Sequence, residues 1–351
     1  MFIHLLWMFI SSFSLMLIIR HVSIKLDLVD KPNHRKRHCS PIPLVGGIAI
    51  YLAILGFQIV NDGNISYINP FIISGALLIC VGIMDDRFDL PVAPRLLVQC
   101  TAAIIIIADD VYLNSLGLLW FGDELLLGYL AYPMTLLAVV VAINIFNMAD
   151  GIDGLLAGLS AVSLGGLAVC FMLVGQQDMM AYCLCIIAAL IPFLLLNVGF
   201  PFGKRLKVFM GDAGSTFLGF TIIWLVLIAS QKKEAAIAPV NVLWLLALPL
   251  MDMVSVTVGR LKNSNSPFLP DRTHFHHLLL DYGISAHKTL LMMLVMSLVY
   301  ACIGLVIEFM MLSHLFSLII FISFFTLHCS MRGFLMNLIK PSFTSVGHLQ
   351  K

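Results

Sequence analysis

The chain predicts an all-α polytopic membrane protein, on three grounds. Apolar residues make up 60% of the 351 and charged residues only 11%, with a mean hydropathy of +1.02, a balance that no ordinary soluble domain shows. Apolar runs recur along almost the whole chain, most of them near the roughly 20 residues that a helix needs to cross a bilayer. Lys and Arg gather in alternate loops between those runs, as cytoplasmic loops of membrane proteins require.

Eleven candidate spans follow in order: 1–22, 44–60, 70–84, 96–113, 131–148, 155–174, 179–198, 215–230, 239–258, 289–308 and 314–332. The first has no basic leader and no Ala-x-Ala-like cleavage site, and it runs straight into Arg20, so it reads as a retained helix rather than a signal peptide. The third passes directly into Asp85 and Asp86, and the fourth begins near Arg95 and Gln99. The fifth carries Asn144 and Asn147, with Gly151 and Gly154 favouring a turn before the sixth. The eighth opens just after Met210, Gly211 and Asp212, and the ninth has Asp252 inside it. A long loop rich in His and Pro then leads to the last two spans and a cytoplasmic tail over 333–351.

With the first residue periplasmic, every Lys and Arg except Lys232 and Lys233 falls in an inner loop or the tail, and the C-terminus is cytoplasmic. Topology thus accounts for the basic residues, and the formal net charge of +1 gives no ground for a nucleic-acid partner. The eight cysteines are scattered without a Cys-x-x-Cys pair, so neither a disulfide framework nor a zinc ribbon is expected. Met and Phe read as lipid-facing or interhelical packing. No tandem repeat or low-complexity stretch divides 1–351, which reads as one integral membrane domain.

Four polar clusters stand at span ends and, in this topology, on one membrane face. The first is Asp85, Asp86, Arg87 and Asp89. A lone Asp there would be an ordinary charged helix end, but three carboxylates in five residues can hold a hard divalent ion, or raise one another's affinity for a proton. The second repeats Asn144, Asn147, Asp150 and Asp153 every three residues, which lets amides and carboxylates converge whether the helix persists or turns. Capping would explain one or two of these residues but not four. The third puts Asp212 at a helix N-terminus among small residues, where free amides favour phosphate and the carboxylate can bind its cation. The fourth is Arg272, His274, His276 and His277. A zinc site is the rival reading, but His-x-His-His without Cys beside arginines suits a pyrophosphate or sugar better. His4, His21, His314, His328 and His348 read as interfacial or surface residues.

Together these motifs resemble the polyprenyl-phosphate N-acetylhexosamine-1-phosphate transferase family, most closely its bacterial undecaprenyl-phosphate N-acetylglucosamine-1-phosphate branch. The matching segments are 30–38, 43–47, 85–89, 144–154, 208–215 and 266–277, in family order between about residues 28 and 280. The chain beyond about residue 290 carries little of the likeness and is expected to add nothing to substrate choice.

The resemblance implies transfer of N-acetylglucosamine 1-phosphate from UDP-N-acetylglucosamine to undecaprenyl phosphate in the bacterial inner membrane. Such a step would prime O-antigen or common-antigen synthesis. It implies Mg²⁺, or Mn²⁺ in its place, with Asp212 the firmest ligand and Asn147 and Asp86 beside it. Asp85 would accept a proton from the lipid phosphate, assisted by Asp86. Asn144, Asp150 and Asp153 would serve the nucleotide and metal site, and Arg272, His274, His276 and His277 the phosphates and sugar. Direct attack is favoured over a phospho-enzyme, and a homodimer is left open.

Two alternatives stand beside this reading. Phospho-N-acetylmuramoyl-pentapeptide transferase, or another UDP-N-acetylhexosamine specificity, would keep the chemistry and change the sugar. A secondary transporter would instead hold its ion near the bilayer midplane, and Asp252 is the residue that most favours it.

Overall fold

The computed structural model describes residues 1–31, 41–60, 67–119, 123–201, 203–232, 234–262, 264 and 273–344. The apolar runs are helices, as they must be where no water is at hand to satisfy a backbone. In chain order these are α1 Phe2–Lys25, α2 Gly46–Val60, α3 Ile68–Phe88, α4 Val92–Ala108, α5 Ala131–Ala149, α6 Leu155–Leu173, α7 Gln177–Val198 and α8 Gly211–Gln231. They continue with the short α9 Val242–Leu245, α10 Ala247–Lys262, the short α11 Phe275–Asp281, α12 Ala286–Phe309 and α13 His314–Thr344. Between α1 and α2, β1 Val29–Asp30 and β2 Ile42–Pro43 pair antiparallel, Val29 opposite Pro43.

Among the described residues eight helices are long and apolar enough to cross a membrane, while Gly46–Val60 and Val92–Ala108 are apolar but shorter. All eleven expected runs are helical, yet two differ from expectation. The ninth breaks into α9 and α10, because Pro249 in the first turn of α10 has no N–H to carry the ladder back. The eleventh does not stop at 332, since α13 continues to Thr344 through what reads as tail.

α8 occupies the centre, packed on α2, α3, α5 and α6 and buried almost throughout. Its entry into the bundle depends on residues without side chains. A Cβ on Gly47 of α2 would lie 2.0 Å from the Cα of Gly214, and one on Gly82 of α3 would lie 2.2 Å from the Cα of Ala213. Such seams let membrane helices gain from close van der Waals contact where no hydrophobic force drives them together. Toward its other end the packing is aromatic, with Phe71 stacked on Trp224 at 4.4 Å and on Phe220 at 5.9 Å. α1 and α13 lie outside, presenting Ile10, Ile18, Phe316 and Ile319 outward.

Candidate active site

The N-terminus of α8 is held by a strap and a carboxylate. Val45 and Gly46 donate their N–H groups to the Phe209 carbonyl, and Gly47 to that of Met210. The chain then turns at Gly211, whose φ of +74° belongs to glycine, and where a Cβ would come within 2.5 Å of Asp86 Oδ2. Asp86 reaches over from α3 to accept the N–H groups of Asp212 (2.8 Å) and Ala213 (3.3 Å). A carboxylate from another helix therefore caps α8, meeting free amides and the positive end of the dipole together.

Asp212, so placed, turns its side chain toward α5. Asn147 donates through Nδ2 to Asp212 Oδ1 at 2.7 Å and to Ser215 Oγ at 2.8 Å. No hydrogen bond to Asp212 Oδ2 is seen among the described residues, and the side chain is part open. One turn on, α5 ends and Asp150 takes its C-cap position. Asp150 is open to solvent yet close to Asp212 and Asp153, and its pKa is pushed up to about 7, by desolvation first and then by those two charges. Water screens part of that shift, since the group is exposed. Asp153 pairs with Lys207. Asn197 ties this turn to the approach of α8, accepting the Gly154 N–H at 2.6 Å and donating to the Val208 carbonyl at 2.9 Å.

Two expected residues face elsewhere. Asp85 is buried, its side chain 3% exposed, with Arg95 Nη1 2.8 Å from one oxygen and the Leu90 N–H 2.8 Å from the other. Both of its oxygens are thus engaged at the α3–α4 turn. Asn144 directs its amide nitrogen to Gln99 Oε1 (2.9 Å) and the Val140 carbonyl (2.7 Å), away from Asp212. Of the four residues spaced by three, Asn147 and Asp150 therefore meet at Asp212, Asp153 pairs with Lys207, and Asn144 is tied to Gln99.

The histidine segment closes the other side. A Cβ on Gly151 would lie 2.0 Å from His276 Nε2, so this ring rests on the turn that carries Asp150. His277 lies 4.2 Å from His276 and His274 5.8 Å, ring to ring. His274 Nδ1 is 2.9 Å from Asp252 Oδ2, and the Phe275 N–H donates to Asp252 Oδ1 at 2.9 Å. Arg272 lies outside the described residues.

Comparison with known proteins agrees with this geometry. The model of glycosyl transferase family 4 matches residues 69–230, a stretch holding Asp85, Asp86, Asn144, Asn147, Asp150, Asp153 and Asp212. An undecaprenyl-phosphate alpha-N-acetylglucosaminyl 1-phosphate transferase of Yersinia pestis is 43% identical over 305 residues, 87% of this chain and 83% of its own. The protein of that name from Salmonella typhi is 44% identical over 83% of this chain and 79% of its own, and that from Haemophilus influenzae 39% identical over 86% and 85%. The chain belongs to glycosyl transferase family 4.

In this family 4 chain the fit to a divalent cation can be judged from the donors. Hard oxygen atoms dominate, with Asp86 and Asp150 each within electrostatic reach of Asp212 at the α8 N-terminus. Among the described residues no three His, Cys, Asp or Glu side chains are gathered tightly enough to hold a metal alone. That suits Mg²⁺, which binds through one or two carboxylates and completes its shell with water and substrate phosphates. Asp212 has one oxygen without a hydrogen bond among the described residues, while Asp86 spends its oxygens on the α8 amides.

Several residues that hold the histidine segment went unread in the sequence. His328 is not a surface residue: it is 1% exposed and lies 5.1 Å, ring to ring, from Phe275. Arg332 donates to the Thr273 carbonyl at 3.0 Å and the Ser255 carbonyl at 2.9 Å, so the last helix does reach the site. Their i, i+4 spacing on α13 was the available signal. Asp252 was visible as a carboxylate inside an apolar run, but its partner could not be read from spacing.

Proposed function

We propose that this chain transfers N-acetylglucosamine 1-phosphate from UDP-N-acetylglucosamine to undecaprenyl phosphate. The observation that carries the reading is the α8 N-terminus: Asp212, fixed by Asn147 and by the Asp86 cap, stands at the end of apolar helices with a histidine segment opposite. There a water-soluble anionic donor can meet a lipid phosphate. Identity of 43–44% to transferases of that name supports the substrate pair.

In the reaction an oxygen of the lipid phosphate attacks the phosphorus that carries the sugar, and a new P–O bond forms. The bond from that phosphorus to the oxygen it shares with the UMP phosphate breaks, and UMP departs with the electron pair. The acceptor monoester is already largely ionised near neutrality, so positioning outweighs base catalysis, in keeping with an Asp85 locked to Arg95. Mg²⁺, or Mn²⁺, held by Asp212 with Asp150 near, would neutralise the donor diphosphate and the charge on the leaving UMP. His276 and His277 face the turn after α5, where they can donate to phosphate oxygens once protonated.

Eleven crossings with a periplasmic N-terminus would set this cluster on the cytoplasmic face of the bacterial inner membrane, where UDP-sugars are available. The product would prime O-antigen or common-antigen assembly. For a transporter Asp252 would have to be open to an ion, and both its oxygens are engaged by the histidine segment.

Membranes incubated with labelled UDP-N-acetylglucosamine, undecaprenyl phosphate and Mg²⁺ should yield butanol-extractable label, lost with EDTA and in Asp212→Ala. Label incorporated only from UDP-N-acetylmuramoyl-pentapeptide would overturn the sugar assignment. Solute crossing sealed vesicles without lipid product would overturn the transferase reading.

A further inference from the structure

Asp252 stands apart from the carboxylates around Asp212, on α10, and is 6% exposed. A charge taken into the bundle is expensive unless each oxygen finds a partner. One oxygen accepts the Phe275 N–H and the other lies 2.9 Å from His274 Nδ1, so both oxygens of a single carboxylate are committed to two consecutive residues of the histidine segment. α13 supplies the rest of the grip. His328 Nε2 is 3.9 Å from Asp252 Oδ1, and one turn later Arg332 holds the Thr273 carbonyl, so Thr273, His274 and Phe275 are each tied to α10 or α13. A cavity of about 10 Å³, room for one water, lies among Asp252, His274, His276, Met148 and Ala149, where this assembly meets the end of α5.

We propose that Asp252, backed by His328 and Arg332, is a positioning residue for the transfer reaction, holding His274 with its proton on Nδ1 and seating His276 against Gly151. A ring whose Nδ1–H is donated to a carboxylate has its tautomer and orientation set, leaving Nε2 for other work. Among the described residues the charged or titratable groups around His274 are Asp252 from α10, His276 from its own segment and His328 from α13 on the same carboxylate, with Arg332 on the adjacent carbonyl. Of these Asp252 is the anion, its oxygen 2.9 Å from His274 Nδ1. His276 is the link to the site, since its ring touches the turn that carries Asp150.

This inference rests on the proposed transfer, and the test separates the two. Wild type, Asp252→Asn, Asp252→Glu, His274→Gln and the Asp252→Asn/His274→Gln pair are assayed for lipid-linked product against donor concentration. Asp252→Asn should lower kcat/KM about tenfold, the scale of losing a partner that orients a histidine, and Asp252→Glu should restore it. In the His274→Gln background the Asn substitution should add nothing further, because its effect passes through that ring. A wild-type kcat/KM in Asp252→Asn, or an equal loss with and without His274, overturns the inference. No product from wild type overturns the transfer reading instead. Should Asp252→Asn not accumulate in membranes, Arg332→Lys decides. It should raise KM for the donor about tenfold with little change in kcat, as a loss of positioning in the ground state would, and an unchanged KM overturns the inference.

Discussion

At the Gly211 end of α8 polar groups hold one another so that carboxylate oxygen stays available, whereas at the Gln231 end they are used to close a loop. Gln231 Oε1 accepts the N–H groups of Asn114 (2.9 Å) and Ser115 (3.0 Å), and its Nε2 donates to the Ser115 carbonyl (3.2 Å). Lys232 donates to the Asp110 carbonyl at 2.6 Å and lies over the Tyr67 ring, 3.9 Å from its centroid. Asp212, by contrast, has one oxygen fixed by Asn147 and the other without a hydrogen bond among the described residues. The same helix serves both ends, and what differs is whether its partners consume the polar atoms or only aim them. Helix polarity favours this division, since the N-terminus attracts anions and the C-terminus does not.

The sharpest way to break that contrast is Asp212→Asn, which keeps the shape and removes the charge. Transfer should fall on the order of 10²–10³-fold, the scale of losing one group that stabilises developing charge, with the circular dichroism of the purified protein unchanged. Activity within a few-fold of wild type would mean that this second oxygen is not used.

Gly82→Ala comes next, because its methyl would meet the Ala213 backbone rather than a yielding side chain. It should destabilise the α3–α8 seam by about 1–3 kcal/mol, as overpacking does, read as a lower melting temperature in detergent. Activity should drop with it, because the same shift moves Asp86 off the α8 amides.

Acidity probes the open end alone. With the pKa of Asp150 raised to about 7, the folded state favours its neutral form. Its contribution to stability is therefore full below the ordinary carboxylate value near ~4 and is lost as pH rises through about 7. The melting temperature of Asp150→Asn should accordingly fall less than that of wild type between pH 4 and 7, and parallel curves would sink this reading. Cation affinity runs the other way and should strengthen over the same interval as the carboxylate ionises.

The smallest effect belongs to the closed end. Gln231→Ala should lower stability by about 1 kcal/mol for the lost hydrogen bonds and leave kcat for lipid-linked product unchanged. If it cost as much activity as Asp212→Asn, the two ends of α8 would not divide the work as described.

Much of the fold was legible because lipid imposes a simple rule: where water is absent the chain must coil, and the eleven apolar runs all did. Asp212 was legible for a related reason, since Met210–Gly211 before an apolar run marks a helix start. The pairing of Asp85 with Arg95 was not, because Arg95 lies across a turn whose direction no spacing reveals. The partner of Asn144 was not legible either, because Gln99 belongs to α4 and only tertiary packing brings it within 2.9 Å. His328 and Arg332 were missed because contact between α13 and the segment at Thr273 is wholly tertiary, joining residues some sixty positions apart.

That last contact bears on biogenesis. A ribosome delivers Asp86, Asn147, Asp212, Asp252 and the histidines well before Arg332, so an emerging polypeptide has its histidine arm tied to α10 but not yet to α13. Competence then arrives only when α13 leaves the exit tunnel and docks, and a chain truncated after α12 should enter the membrane without gaining activity.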